Sequence, residues 1–158
     1  ENRDPKIIES PVEYRGRASA ELAPEAPQVS WLEFKSCSCA DLRDPKQVVV
    51  DPFGNVHVCE GIAVGNLFKQ PLSEICNSYE PDLHPIVGPL IQGGPVELVL
   101  RYGLDHKKHY ADACHACYDA RLALRGRFPE ILAPDQMYGV KRELDPLGRL
   151  ASSVEHET

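Results

Sequence analysis

The chain has 158 residues, a length typical of one domain, and a formal net charge of −7. Its 17 basic residues are scattered and form no basic stripe, so nucleic-acid binding is not expected. No apolar run reaches the roughly 18 residues that a membrane-spanning helix needs, so membrane insertion is not expected either. With 42% hydrophobic residues but 14 prolines, the sequence predicts a modest core and much irregular chain.

The first 30 residues are predicted to form a largely irregular lead-in, because prolines exclude a long helix there. Within it, the RGRA sequence at residues 15–18 is interpreted as a solvated turn. The chain starts with Glu1 where a translated protein starts with Met. We therefore expect a processed product or a piece of a longer polypeptide.

The clearest local structure is a β-hairpin over residues 47–59. A β-branched run precedes the turn sequence Pro-Phe-Gly-Asn, and an alternating segment that ends at Cys59 follows it. Gly61 and Gly65 are assigned to a loop. A short helix is predicted over residues 71–79, with one apolar face formed by Leu72, Ile75, Cys76 and Tyr79.

Two helical regions follow in the second half of the chain. Residues 82–104 are predicted to hold two weak helical segments, which Gly93-Gly94-Pro95 separates. Asp112 is predicted to cap a helix from about residue 113 to residue 127. Together the elements predict a small α+β fold, in which a β-hairpin and then short helices surround one four-cysteine metal centre.

The predicted ligands of that centre are Cys39, Cys59, Cys114 and Cys117. A Cys-x-x-Cys pair at a helix start, such as Cys114 and Cys117, lies where unpaired N–H groups can donate to sulfur. Cys59 ends the hairpin and Cys39 precedes it, so the two are neighbours if the strands pair. This spacing is typical of metal ligands or a redox dithiol rather than of a disulfide framework.

The remaining cysteines and four histidines are interpreted as non-ligands. Cys37 competes with Cys39, because either residue of a Cys-x-Cys sequence can turn inward, but Cys39 is preferred. Cys76 is interpreted as a small hydrophobe in the core. Surface positions are predicted for the histidines, which are His57, His106, His109 and His115.

These spaced elements resemble a known module. Fourteen residues separate Cys39 from Gly54, and four more separate Gly54 from Cys59. This spacing is similar to the opening of the SPASM/twitch module at the C-terminus of many radical S-adenosylmethionine enzymes. The sequences VDPFGNV at 50–56, GNL at 65–67 and LSEI at 72–75 agree with it. The lead-in, from the RGRA sequence at residues 15–18 to Trp31 and Phe34, is similar to the linker into that module. The resemblance covers about residues 15–120.

The resemblance implies the shorter twitch form, because no cysteine follows Cys117 to hold a second auxiliary cluster. It implies one [4Fe–4S] cluster on Cys39, Cys59, Cys114 and Cys117, serving electron transfer, substrate positioning or structural support. The Cys-x-x-x-Cys-x-x-Cys motif of the S-adenosylmethionine cluster is absent from this sequence. The catalytic barrel is therefore expected before Glu1 or on another chain. No catalytic residue is assigned here, the substrate is unknown, and a cytoplasmic location is expected.

Two other functions are considered. The same four cysteines suit a structural zinc ion in an interaction domain, and Cys114 with Cys117 could act as a thiol oxidoreductase. The predicted domain organisation is a lead-in over residues 1–30, a twitch-like cluster-binding domain over 31–128 and a C-terminal extension over 129–158. The end of that extension is predicted to be disordered.

Overall fold

The computed structural model describes residues 12–37 and 41–140. The predicted ligand Cys39 and the end of the C-terminal extension lie outside the described residues. The helices are α1 (Arg17–Glu21), α2 (Leu72–Asn77), α3 (Val87–Tyr102) and α4 (Ala113–Leu124). The strands are β1 (Val29–Ser30), β2 (Val49–Val50), β3 (Asn55–Cys59), β4 (Ile62–Asn66) and β5 (His109–Tyr110). The predicted α+β fold is confirmed. Among the described residues, no helix has both the length and the apolar character needed to cross a membrane.

A three-stranded antiparallel sheet in the order β2-β3-β4 forms the first half of the fold. The predicted hairpin is its first pair, with Val50 opposite Val56. The assignment of Gly61 to a loop is confirmed, but that of Gly65 is wrong, because β3 and β4 form a second hairpin in which Cys59 lies opposite Ile62. Gly61 turns the chain between them at φ +78°. Only glycine adopts such a conformation without strain, so a two-residue connection suffices.

His57 does not face solvent as the alternating pattern predicted. It is only 2% exposed, and Val56 and Val58 on either side of it are buried as well. The pairing of β3 with β4 has register shifts on both sides of His57, which disrupt the simple alternation of faces. In addition, His57 Nε2 lies 3.0 Å from Asp51 Oδ2, and this hydrogen bond satisfies one of the two buried ring nitrogens.

Helix α2 forms where it was predicted, but the interpretation of Cys76 as a core residue is wrong. Ile75 is the buried residue of this helix, and Cys76 is exposed. Ile75 fits against β4 because Gly65 has no side chain: a Cβ there would lie 2.7 Å from Ile75 Cγ1. The neighbouring residue on a helix points about 100° away, so Cys76 turns from the sheet.

The two long helices, α3 and α4, pack against each other. Helix α3 breaks at Gly93 and Gly94, as the sequence predicted, with Gly94 at φ +64°. The predicted cap of α4 is also confirmed, because an Asp112 carboxylate oxygen accepts a 2.6 Å hydrogen bond from His115 N.

The core lies between the sheet and these two helices. Residues after α4 contribute to it: Leu132 and Tyr138 are buried, and Ala63 N donates a 2.7 Å hydrogen bond to Ile131 O. A separate two-stranded sheet pairs β1 with β5. It joins the N-terminal segment to the chain just before α4.

Candidate metal centre

Cysteines from three separate segments of the chain line one small pocket. We call it the sulfur-lined pocket, and its lining residues are Arg15, Cys37, Cys59, Leu90, Pro95, Ala113, Cys114, Cys117 and Arg121. Among the described residues, the lining contains no carboxylate and no imidazole. Its potential metal donors are therefore thiols, which prefer soft or borderline metals such as zinc and the iron of iron–sulfur clusters.

The tight β3–β4 turn positions Cys59, the last residue of β3. Because Gly61 reverses the chain two residues later, Cys59 stays at the end of β3, where it lines the pocket together with Cys114 and Cys117 of α4. This placement agrees with the prediction that Cys59 lies at the end of the first hairpin. The turn itself, which the sequence analysis did not identify, is what directs the residue.

Cys114 and Cys117 lie on the first turns of α4, which Asp112 caps. Cys117 is buried, and burial raises the pKa of its thiol to about 11, although nearby Arg121 acts in the opposite direction. A thiol with that pKa is protonated at neutral pH. Because a metal binds the thiolate, occupation of the site must release this proton.

Cys37 reaches the pocket because the small sheet holds its segment beside the start of α4. Val29 in β1 lies opposite Tyr110 in β5, and Trp31 N donates a 3.1 Å hydrogen bond to Lys108 O. Cys37, the less preferred alternative to Cys39 as a ligand, lies in the pocket wall. Since Cys39 lies outside the described residues, its role as a ligand stays a prediction.

Arg15 is not part of a solvated turn, so that interpretation is wrong. Its side chain is 20% exposed and forms part of the pocket wall. The reason is ion pairing: Arg15 Nε lies 2.7 Å from Glu60 Oε2, and the guanidinium also pairs with Glu13. These contacts hold the N-terminal segment against the turn that follows Cys59.

Arg121 is the main site residue that the sequence analysis missed. It lies one helical turn after Cys117 on α4, is 2% exposed and also lines the sulfur-lined pocket. The i, i+4 spacing from Cys117 was visible in the sequence. The burial of Arg121 was not visible in the sequence, because it depends on the turn at Glu60 and on Tyr138, which come from distant parts of the chain.

The histidines in the described part of the chain lie outside the pocket lining. His106 and His109 are exposed, as predicted. His115 is buried, contrary to its predicted surface position: Nδ1 accepts a 3.3 Å hydrogen bond from Ala111 N, and the ring meets Tyr110 edge-on. Burial lowers the pKa of His115, which favours the neutral ring.

The described cysteines are thiols, with four of the five in the sulfur-lined pocket and Cys76 elsewhere. Within the described ranges, no three His, Cys, Asp or Glu side chains approach closely enough to share one metal ion. The chemistry of the donor set fits an iron–sulfur cluster, in which different thiolates bind different irons and so need not meet at one point.

Comparison with known proteins identifies the family of this chain. The family model of SPASM, an iron-sulfur cluster-binding domain, matches residues 39–118, which is just over half of the chain. The match starts at Cys39, includes Cys59, Cys114 and Cys117, and leaves out Cys37. No curated protein and no solved structure matches significantly. The suspected resemblance is thereby confirmed: the chain belongs to the SPASM family of iron–sulfur cluster-binding domains.

Proposed function

We propose that this chain is the auxiliary-cluster region of a radical S-adenosylmethionine enzyme and that it holds one [4Fe–4S] cluster. The observation that carries the proposal is the convergence of Cys37, Cys59, Cys114 and Cys117 on one pocket, to which no carboxylate or imidazole of the described residues contributes. Family membership supports an iron–sulfur cluster there. The cluster, when bound, would supply a one-electron redox centre.

The proposed ligands are Cys39, Cys59, Cys114 and Cys117. The family match supports Cys39, because it begins at that residue. Cys37 is the competing residue, because it lines the pocket. Both belong to one Cys-Ser-Cys sequence, and the centre needs only one of them to complete a set of four.

A cluster with four protein thiolates has no open iron position for a substrate. The chain's own residues would hold the cluster, exclude water and set its reduction potential through burial, charge and hydrogen bonds to sulfur. We therefore assign it to electron transfer, substrate positioning or structural support. In this proposal, reaction with the substrate belongs to a radical S-adenosylmethionine barrel on another part of the protein or on a partner chain.

A structural zinc ion in the same pocket is the second candidate. Four thiolates suit tetrahedral zinc, but zinc requires all its sulfur ligands about 2.3 Å from one point. The match to an iron-sulfur cluster-binding family favours the cluster over the single ion.

The first experiment is anaerobic purification or reconstitution of the chain, followed by iron, sulfide and zinc analysis and absorption and electron paramagnetic resonance spectroscopy. We expect about four irons and four sulfides per chain and a brown protein. The variant Cys59→Ser should lose most of the iron, and the exposed Cys76→Ser is the matched control that should retain it. A colourless protein with one zinc and no sulfide contradicts the cluster proposal.

The enzyme context needs a separate test. The proposal expects that the gene, or a neighbouring gene, encodes a Cys-x-x-x-Cys-x-x-Cys motif within a repeating βα sequence. If neither does, the radical S-adenosylmethionine assignment is wrong, while cluster binding by this chain is unaffected.

A further inference from the structure

Arg121 is a buried cation at the wall of the sulfur-lined pocket. Its side chain lies on the same face of α4 as Cys117, and only 2% of the residue is exposed. A guanidinium remains protonated in proteins, so the charge cannot be removed by deprotonation. The fold therefore holds a permanent positive charge next to the proposed cluster ligands.

The hydrogen-bond acceptors of this guanidinium are uncharged. Nε donates to Cys117 O at 3.3 Å, and Nη1 donates to Glu60 O at 2.5 Å and to Tyr138 Oη at 3.3 Å. Across residues 12–37 and 41–140, no Asp or Glu forms an ion pair with Arg121. The acidic groups around it are the thiols of Cys59, Cys114 and Cys117 and the phenol of Tyr138.

Such an arrangement is costly unless an anion lies nearby, because a buried charge needs an opposite charge to compensate its lost hydration. The other arginine of the pocket is different in this respect. Arg15 is paired with the carboxylates of Glu13 and Glu60, so its charge is already compensated. With no carboxylate partner among the described residues, the charge of Arg121 can act on whatever occupies the sulfur-lined pocket.

We propose that Arg121 compensates the negative charge of the cluster and thereby raises its reduction potential. This inference rests on the proposed cluster function. A cluster with four thiolate ligands is anionic and gains one more negative charge on reduction. A fixed cation beside it stabilises the reduced state more than the oxidised state, and low water content strengthens that effect.

The test uses the full chain, reconstituted anaerobically, as wild type, Arg121→Gln, Arg121→Lys and Arg15→Gln. Iron and sulfide per chain report loading, and a redox titration followed by electron paramagnetic resonance gives the midpoint potential. For Arg121→Gln we expect a shift to lower potential of at least 59 mV, equivalent to a tenfold change in the ratio of oxidised to reduced cluster for one electron. Arg121→Lys keeps the charge and should shift the midpoint potential less. Arg15→Gln removes a compensated charge and should also shift the potential less.

A loaded Arg121→Gln protein with the wild-type potential would overturn the inference, and so would an equal shift in Arg15→Gln. If the Arg121→Gln protein takes up no iron and sulfide, the Arg121→Lys protein is compared with it. A loaded cluster in Arg121→Lys supports the role of the charge. Failure of Arg121→Lys to load assigns Arg121 to folding and overturns the inference. A wild-type chain that takes up no iron and sulfide would instead defeat the proposed function. That result is distinguishable because it precedes any comparison of variants.

Discussion

The backbone of Gly94 lies directly against the backbone of Ser36: a Cβ added at Gly94 would be 2.5 Å from Ser36 N. Gly94 is the break in α3, and the segment it contacts leads straight into Cys37. Nearby, Val96 N donates a 3.3 Å hydrogen bond to Phe34 O. The break in α3 therefore creates the space in which the first cysteine segment runs toward the sulfur-lined pocket.

The first prediction concerns Gly94→Ala. At φ +64° alanine is strained, and its Cβ would collide with main-chain atoms, which cannot rotate away as side chains can. We expect a loss in the free energy of unfolding of roughly 2–4 kcal/mol and lower iron content, because the displaced segment carries Cys37 and leads to Cys39. Urea unfolding of the apo protein and iron analysis measure the two effects.

Gly126→Ala is the matched control for that variant. A Cβ at Gly126 would meet no atom within 4 Å, and its φ lies outside the left-handed region. The control should change stability and iron content little. Equal behaviour of the two variants would show that the contact between Gly94 and Ser36 does not position the cysteine segment.

The second prediction separates Cys37 from Cys39. We expect Cys39→Ser to lose most of the bound iron, because one of the four thiolates is removed. We expect Cys37→Ser to keep it, with at most a change in the absorption spectrum. Iron and sulfide analysis after identical reconstitution gives the comparison. The opposite pattern would assign the fourth ligand to Cys37, and loss in both variants would contradict a fixed assignment to either.

The third prediction concerns the Tyr138 hydroxyl, which donates a buried 2.6 Å hydrogen bond to Gly61 O and accepts one from Arg121. Tyr138→Phe leaves both groups without this hydroxyl, so we expect a loss of about 1–3 kcal/mol in the free energy of unfolding. Denaturant unfolding of the apo protein measures it.

Tyr118→Phe is the control for Tyr138→Phe. The Tyr118 ring stacks on the Tyr138 ring with 5.8 Å between the ring centroids. None of the described residues forms a hydrogen bond with the Tyr118 hydroxyl, in contrast to that of Tyr138. Removal of that hydroxyl should cost much less. If the two variants lose equal stability, the hydrogen bond to the turn after Cys59 is not the source of the effect.

The fourth prediction is a pH dependence at Asp51. Burial acts to raise the pKa of this carboxyl, but hydrogen bonds from the Asn55 side chain, His57 and the main chain outweigh it and lower the pKa. A lowered pKa means that the unfolded state binds the proton more readily. The stability that the Asp51 carboxylate contributes is therefore present above about pH 4 and is lost as the pH falls through its folded-state pKa. Asp51→Asn should weaken the hairpin at pH 7 and flatten this acid dependence.

Urea unfolding of apo wild type and Asp51→Asn between pH 7 and pH 3 checks the fourth prediction. The apo protein is used so that acid loss of the cluster does not contribute. Asp105→Asn, at an exposed position, is the control and should follow the wild type. The same steep acid dependence in Asp51→Asn and wild type would show that other carboxyls cause it.

Local patterns in the sequence were enough for the elements that carry most of the cysteines. The turn residues around Gly54 predicted the first hairpin, and Asp112 predicted the start of α4. Both are signals of short range, set by backbone conformation and capping. The spacing of Cys39, Gly54 and Cys59 was also sufficient to suggest the family that the comparison then identified.

Burial was predicted less well, because it depends on contacts between distant segments. His57 has the alternation of a surface residue, yet the register shifts in its pairing with β4 leave it buried together with Val56 and Val58. Cys76 has the spacing of a core residue, yet the direction of α2 buries only Ile75. Neither outcome is encoded in the neighbouring sequence, since each depends on which face a second element covers.

By itself, the sequence determined the kind of centre, because thiol donors, their spacing and the local elements that present them are written into short stretches of chain. Only the tertiary structure decided what surrounds the centre. It brought Arg15 and Arg121 to the cysteines and, among the described residues, paired carboxylates with Arg15 but not with Arg121. The physical reason is that charge compensation in a buried site depends on three-dimensional proximity between segments up to about a hundred residues apart, which no local pattern specifies.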